Sequence, residues 1–151
     1  MPITESYHET LRGLVADALG DAITSAGFSL TVTEQDEPRL DRVNFPAVIV
    51  SYAGSEQISP ATNLRNDIQF PLLISLFTRE PSEDPPGISL TIFREIVREA
   101  FHERRLSGAA DVLYCLVSGI TNPIQMDPQV VQQLRTALIV TPVARRPRGT
   151  L

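Results

Sequence analysis

The first part of the chain carries a hydrophobic repeat typical of an amphipathic helix. Apolar residues recur at intervals of three and four positions between Leu11 and Ala26, which places them on one helical face. Ser6 and Glu9 form a capping-box pattern before this repeat, and Gly27 follows it where a left-handed residue ends many helices. We therefore predict a helix that begins beside Ser6 and ends before Gly27.

The following patterns have the period of strands. Residues 28–33 alternate between apolar and polar, as in a half-buried strand. Residues 47–52 contain an uninterrupted apolar run at 48–50, which predicts a strand buried on both faces. After a predicted turn at 59–62, residues 64–79 predict one long strand, in which Pro71 favours an edge position or a bulge.

The second half of the chain predicts a helix followed by two more strands. The helix turns Phe93, Ile96, Val97, Ala100 and Phe101 inward, and the strands cover residues 112–121 and 130–141. The element order α-β-β-β-α-β-β predicts a single α+β domain over residues 1–143. Its mostly antiparallel or mixed sheet of about five strands is covered by two helices, and residues 144–151 form a flexible arm.

Charge is divided unevenly between the predicted domain and the arm. All 13 basic residues are Arg, and Arg145, Arg146 and Arg148 lie in the arm, so residues 1–143 carry 10 − 18 = −8. A body this acidic argues against wrapping nucleic acid, which requires a basic face. We interpret the three arm arginines as contacts with an acidic subunit or partner, and a disordered tail is the alternative.

The residues that usually carry chemistry are few. Cys115 lies in an apolar strand run, which predicts a buried structural thiol, and His8 and His102 are predicted on exposed helix faces outside any metal pattern. The chain has no Lys and no nucleophile-elbow, P-loop or dinucleotide motif. We therefore expect no catalytic residue, metal or cofactor, and a protein that is not an enzyme.

Two further groups of residues are candidates for contact surfaces. Gly13, Ala16 and Gly20 form a small-residue stripe that another subunit could approach closely, and tolerated exposed glycines are the alternative. Glu80, Glu83 and Asp84 form an acidic loop that is either simply solvated or repels DNA. No apolar run approaches the roughly 18–20 residues of a membrane helix, so we expect no membrane association and a cytoplasmic protein.

The assembled order of elements resembles a known family. The stretches that carry the resemblance are the opening helix at 7–26, F-P-A-V-I-V-S-Y at 45–52, N-L-R-N-D-I-Q-F-P-L-L-I-S-L-F-T-R at 63–79, F-R-E-I-V-R-E-A-F at 93–101 and T-A-L-I-V-T-P-V at 136–143. Together they resemble the tail terminator proteins of bacteriophages and prophages, the lambda tail terminator-like family, which is related to terminators of contractile injection systems.

The resemblance implies a structural virion protein of the tail and neck region, assembled in the bacterial host cytoplasm. Its copies would form a homohexamer ring that caps the tail tube protein, ends tube polymerisation and presents a surface to head-completion or neck proteins. DNA would pass through an acidic lumen without specific binding. The alternatives are a head-to-tail connector or other neck protein and, more remotely, a small cytoplasmic ligand-binding module.

Overall fold

One mixed β-sheet covered on one face by two helices forms the domain. The computed structural model describes residues 6–39, 46–62, 64–79, 89–119, 125–126 and 133–147, and all structural statements below concern these residues. The helices are α1 (Tyr7–Ser25) and α2 (Leu90–Phe101). The strands are β1 (Val32–Glu34), β2 (Ala47–Tyr52), β3 (Gln57–Pro60), β4 (Arg65–Gln69), β5 (Leu72–Arg79), β6 (Val112–Gly119), β7 (Gln125–Met126) and β8 (Gln133–Pro147). The predicted α+β class, with two helices on a mixed sheet, is confirmed.

Both helices begin at a serine cap. The Ser6 hydroxyl accepts a hydrogen bond from the Glu9 amide at 3.0 Å, as the sequence predicts, and the Ser89 hydroxyl accepts one from Ile92. α1 ends at Ser25, and Gly27 follows with a φ of 90°, the left-handed conformation expected after a helix.

The long strand β8 organises the sheet. Its first half pairs with β5 and its second half with β4, whereas β6 and the short β7 pair along its other side. The sheet order is therefore β1-β2-β5-β8-β6 through the body of the domain, and β3 lies outside β4. Only the β1–β2 pair is parallel among the described pairs of strands.

The two helices pack on the same face of this sheet. α1 lies over β1 and β2, and α2 lies over β6 and β8. Phe93, Val97 and Phe101 of α2 are buried in the core together with alternate residues of the central strands. The run 47–50 of β2 is buried at every position, which confirms the predicted burial on both faces.

The strand predicted over residues 64–79 is interrupted at Phe70 and Pro71. Pro71 has no amide hydrogen to donate, and Phe70 donates instead to the Pro142 carbonyl at 3.0 Å, so the ladder divides into β4 and β5. The interruption near Pro71 is confirmed. The turn predicted at 59–62 is partly wrong because Ser59 and Pro60 lie in β3, which pairs with β4 in a hairpin.

The flexible arm predicted for residues 144–151 is wrong over its first half. β8 continues to Pro147, because residues 143–147 pair with β4 on one side and the Arg145 amide donates to the Asp111 carbonyl at 2.9 Å. The hydrophobic pattern of the sequence does not predict this end of β8, because it contains the polar residues Arg145 and Arg146. Residues 148–151, including Arg148, lie outside the described residues.

Two glycines provide a matched test of backbone conformation. Gly108 has a φ of +86°, and a Cβ there would lie 3.0 Å from Leu14 Cδ2, whereas a Cβ at Gly20 in α1 would meet nothing within 4 Å. We expect Gly108→Ala to lower the free energy of unfolding by roughly 1–2 kcal/mol and Gly20→Ala to raise it by roughly 0.5–1 kcal/mol. Urea denaturation measures both values, and changes of the same sign would contradict this assignment.

Candidate functional site

The described residues contain no grouping of three His, Cys, Asp or Glu side chains that could hold a metal ion. The grooves of this part of the chain are open, and one of about 440 Å³ follows the outer side of α2 beside Ile92 and Arg94. Arg94 itself is engaged, since its Nη1 donates to Thr136 Oγ1 at 2.9 Å and to the Ala137 carbonyl at 3.0 Å.

Cys115 is fully buried in β6 and has no exposed sulfur surface for chemistry. Burial raises the pKa of its thiol from 9.0 to about 11, because the apolar surroundings disfavour the thiolate. The predicted structural thiol is confirmed.

The prediction of an exposed histidine is wrong for His8. This residue is 6% exposed, its Nε2 donates to the Pro71 carbonyl at 3.0 Å, and its ring packs edge-on against Tyr52 and Phe70. His8 Nδ1 lies 3.6 Å from Glu56 Oε1. The side chain therefore ties the start of α1 to the break between β4 and β5, a role that its place in an amphipathic pattern does not indicate.

His102 is exposed, as predicted, but it also has a structural role. Its Nδ1 accepts a hydrogen bond from the Val117 amide at 3.1 Å, so it covers part of the free edge of β6. The backbone continues this cover, since the Glu103 amide donates to the Cys115 carbonyl at 2.8 Å. The outer edge of β6 is thus protected from pairing with another strand.

The outer edge of the β3–β4 hairpin, unlike the covered edge of β6, is not paired with another described strand. All four residues of β3 are exposed, and within the described residues β3 pairs with β4 alone. Ile58 in β3 is 64% exposed and Leu64 near the hairpin turn is 77% exposed, the highest values among the large apolar side chains described. An unprotected edge strand with two solvated apolar side chains is a typical protein contact surface.

Arg145 and Asp67 fix this hairpin to the end of β8. The two residues are cross-strand partners, and the Arg145 guanidinium donates from Nε to Asp67 Oδ1 at 2.8 Å and from Nη2 to Oδ2 at 3.1 Å. This two-bond geometry restrains the orientation of both side chains. Its hydrogen bonds lower the pKa of Asp67, because they favour the ionised carboxylate.

Arg146 points to the other face of β8, as strand alternation requires. Its guanidinium lies 3.8 Å from the centroid of the Tyr7 ring and donates to Asp111 Oδ2 at 3.2 Å. Burial raises the pKa of the Tyr7 hydroxyl above its ordinary value. Arg146 therefore joins the start of α1 to the end of β8 by a cation–π contact.

These positions change the interpretation of the predicted contact residues. Arg145 and Arg146 both bind acidic groups of their own chain, and their contact with a second subunit stays a prediction. Ala16 is buried in the core and Gly13 faces the Glu34 carboxylate, so only Gly20 of the predicted stripe borders open space. The acidic loop of Glu80, Glu83 and Asp84, like Arg148, lies outside the described residues.

The β3–β4 hairpin is an exposed surface that the sequence did not predict. Its signal was present, because Ile58 and Leu64 are isolated apolar residues in otherwise polar surroundings. The prediction of one long strand across residues 64–79 conceals the hairpin, and the turn predicted at 59–62 overlaps the end of β3.

The Asp67–Arg145 pair predicts a pH dependence with a definite sign. Because the folded state lowers the pKa of Asp67, the pair stabilises the hairpin fully above the ordinary aspartate pKa, and this contribution is lost as the pH falls through the folded-state pKa. We expect Arg145→Gln to raise the pKa of Asp67 toward its ordinary value, as measured by carboxyl NMR titration. Arg98→Gln, which changes a distant ion pair, is the control, and an unchanged Asp67 pKa in Arg145→Gln would refute the assignment.

The burial of Cys115 predicts slow alkylation. A pKa raised by two units leaves about a hundredfold less thiolate at pH 8, and burial adds a steric barrier. We expect iodoacetamide to modify the folded protein at least about a hundredfold more slowly than the urea-unfolded chain, as followed by mass spectrometry. Similar rates in both states would show that the thiol is accessible.

Comparisons with known proteins found a similar fold in a chain of a solved particle structure. No family model and no curated protein matches the sequence. Among solved structures, the chain is similar to one from the "Virion of native gene transfer agent (GTA) particle", with 13% identity, a TM-score of 0.50 and coverage of 93% of this chain and 100% of that chain. Neither described helix combines the length and apolar character needed to cross a membrane. The likeness establishes that the two chains share a fold over nearly their whole lengths.

Proposed function

We propose that this protein is a structural virion component whose copies form a ring, a homohexamer, on the end of a tail tube. In this role the ring ends tube polymerisation and offers the attachment surface for head-completion or neck proteins. The protein works in the virion, at the tail and neck, after assembly in the cytoplasm of a bacterial host. The role requires no catalytic residue, metal or cofactor.

The observation that carries the proposal is the β3–β4 hairpin. A capping protein must add to a polymer once and hold it, which requires a rigid surface able to pair with exposed backbone or apolar groups of the last tube subunits. Among the described residues no strand pairs with the outer edge of β3, and Ile58 and Leu64 offer apolar area. The bidentate Asp67–Arg145 pair holds this surface in one orientation.

The fold likeness supports the class of protein. The similar chain comes from the virion of a gene transfer agent particle, and the likeness extends over the whole of that chain. At this level of identity the shared fold does not carry a role with it, and assigning a virion role to this chain is part of the proposal.

Charge supports the passage of DNA through the ring without binding. With a formal net charge of −5 over its 151 residues, the subunit repels phosphates. The arginines at 145 and 146 are included in this sum and do not reverse its sign. We assign the acidic loop of Glu80, Glu83 and Asp84 to the lumen as part of the proposal.

The test is a complementation experiment on particle assembly. Deleting the gene should give abnormally long tails without heads, seen by negative-stain electron microscopy, and the wild-type gene should restore normal tails. We expect Ile58→Asp combined with Leu64→Asp to fold normally but fail to restore tail length, because two charges replace the apolar contact area.

The matched control is Ile92→Asp, which alters an exposed apolar side chain on α2, away from the hairpin, and should restore normal tails. Tails of normal length in the deletion strain would overturn the terminator role, and unjoined heads beside them would indicate a connector or neck protein. If the hairpin variant restored normal tail length, the hairpin would not be part of the capping surface.

A further inference from the structure

An open groove of about 590 Å³ runs between α1 and the segment that leads into β1. Its floor consists of small and apolar residues, and its rim carries two carboxylates; the lining includes Ala16, Asp17, Gly20, Asp21, Leu30 and Val32. At Gly20 a Cβ would meet nothing within 4 Å, so an incoming side chain can approach the helix backbone closely. We call this feature the α1 groove.

The rim charges of the α1 groove do not stabilise the helix that carries them. Asp17 and Asp21 are exposed, and neither forms an ion pair within the described part of the chain. Asp21 lies near the carboxyl end of α1, where the helix dipole disfavours an anion, and the last turn of α1 has no basic residue. The groove therefore presents negative charge without an ion-pair partner beside the half-buried side chains of Leu30 and Val32.

Two arginines lie on the loop between α2 and β6, next to Glu103, so residues 103–105 carry a net charge of +1. Arg104 and Arg105 are exposed and, across the described ranges, form no ion pair. The backbone of this loop is held firmly, since the Cys115 amide donates to the Arg104 carbonyl at 2.9 Å and the His102 ring accepts from the Val117 amide. We call residues 102–105 the arginine loop.

The sheet topology places these two features at opposite edges of the subunit. α1 lies over β1 and β2, at one end of the order β1-β2-β5-β8-β6, and the arginine loop is hydrogen-bonded to the outer edge of β6 at the other end. Ring closure requires two different surfaces on opposite sides of each subunit that complement one another. The α1 groove and the arginine loop meet this requirement in position and in charge.

We propose that the α1 groove receives the arginine loop of the next copy of this chain. Arg104 and Arg105 then lie between the rim carboxylates, and their aliphatic stems cover the apolar floor at Leu30 and Val32. This inference rests on the proposed ring and deepens it by naming the two surfaces through which neighbouring subunits bind. The contact is head-to-tail, so every subunit uses both surfaces once.

Charge reversal on each side provides the test. In one variant, Asp17→Arg with Asp21→Arg, the α1 groove becomes positive like the arginine loop. In the other, Arg104→Asp with Arg105→Asp, the arginine loop becomes negative like the α1 groove. Each variant alone should remain monomeric, with a dissociation constant raised at least about tenfold, because like charges then face each other across the contact. An equimolar mixture should form rings of alternating variants, as measured by light scattering with size exclusion and by native mass spectrometry.

Two control variants and the salt dependence of subunit association complete this test. Thr91→Arg and Thr91→Asp add charge of either sign at the far end of α2 and should associate like the wild type, and circular dichroism verifies that every variant is folded. Association should weaken as NaCl rises from about 0.15 M to about 1 M, where the screening length falls from about 8 Å to about 3 Å.

Rings formed by either reversed variant alone, or a mixture that fails to assemble where the wild type does, would overturn the inference. A wild-type chain that stays monomeric would also overturn it. The tail-length experiment tests the capping role separately: normal capping by a reversed variant would leave the proposed function intact and exclude these two surfaces.

Discussion

The structure depends on β8, a 15-residue strand that must continue past a break in its partner. Two strands of one connected segment, β4 and β5, share one side of β8, and the gap at Phe70 and Pro71 falls opposite residues 141–142. A hydrogen bond from Phe70 to Pro142 spans the gap and keeps the sheet continuous. The body of the domain and the hairpin are consequently two parts of one rigid ladder, although only the body is covered by helices.

The arginines at the end of β8 show that the role of a charged side chain depends on its place in the fold. In the sequence, Arg145 and Arg146 read as a mobile basic segment after an acidic domain. In the fold, strand alternation sends one to each face, where Asp67 and Asp111 hold them. Their charges are used within the subunit, whereas Arg104 and Arg105 form no ion pair among the described residues.

The fold class, both helices and the strand at 47–52 could be predicted because local periodicity and capping determine them. Ser6, Gly27 and the apolar face of α2 carry their information within a few residues. β3, the end of β8 and the buried His8 could not be predicted, since each depends on a partner more than 60 positions away or on a hairpin that polar residues form. The candidate surfaces were harder still: Gly20 was found from its stripe, whereas the hairpin leaves one sheet edge unpaired among the described residues and the arginine loop covers another.

The place of β8 in the chain has a consequence for how the protein is made. β8 is the last described element in sequence order, and the contact of Arg146 with Tyr7 joins residues 139 positions apart. During synthesis α1, the β2–β5 pair and α2 leave the ribosome before the strand that links them exists. Long-range pairing of this kind folds slowly and leaves strand edges open in the meantime. Folding of the subunit, and with it any assembly, is therefore coupled to the synthesis of β8.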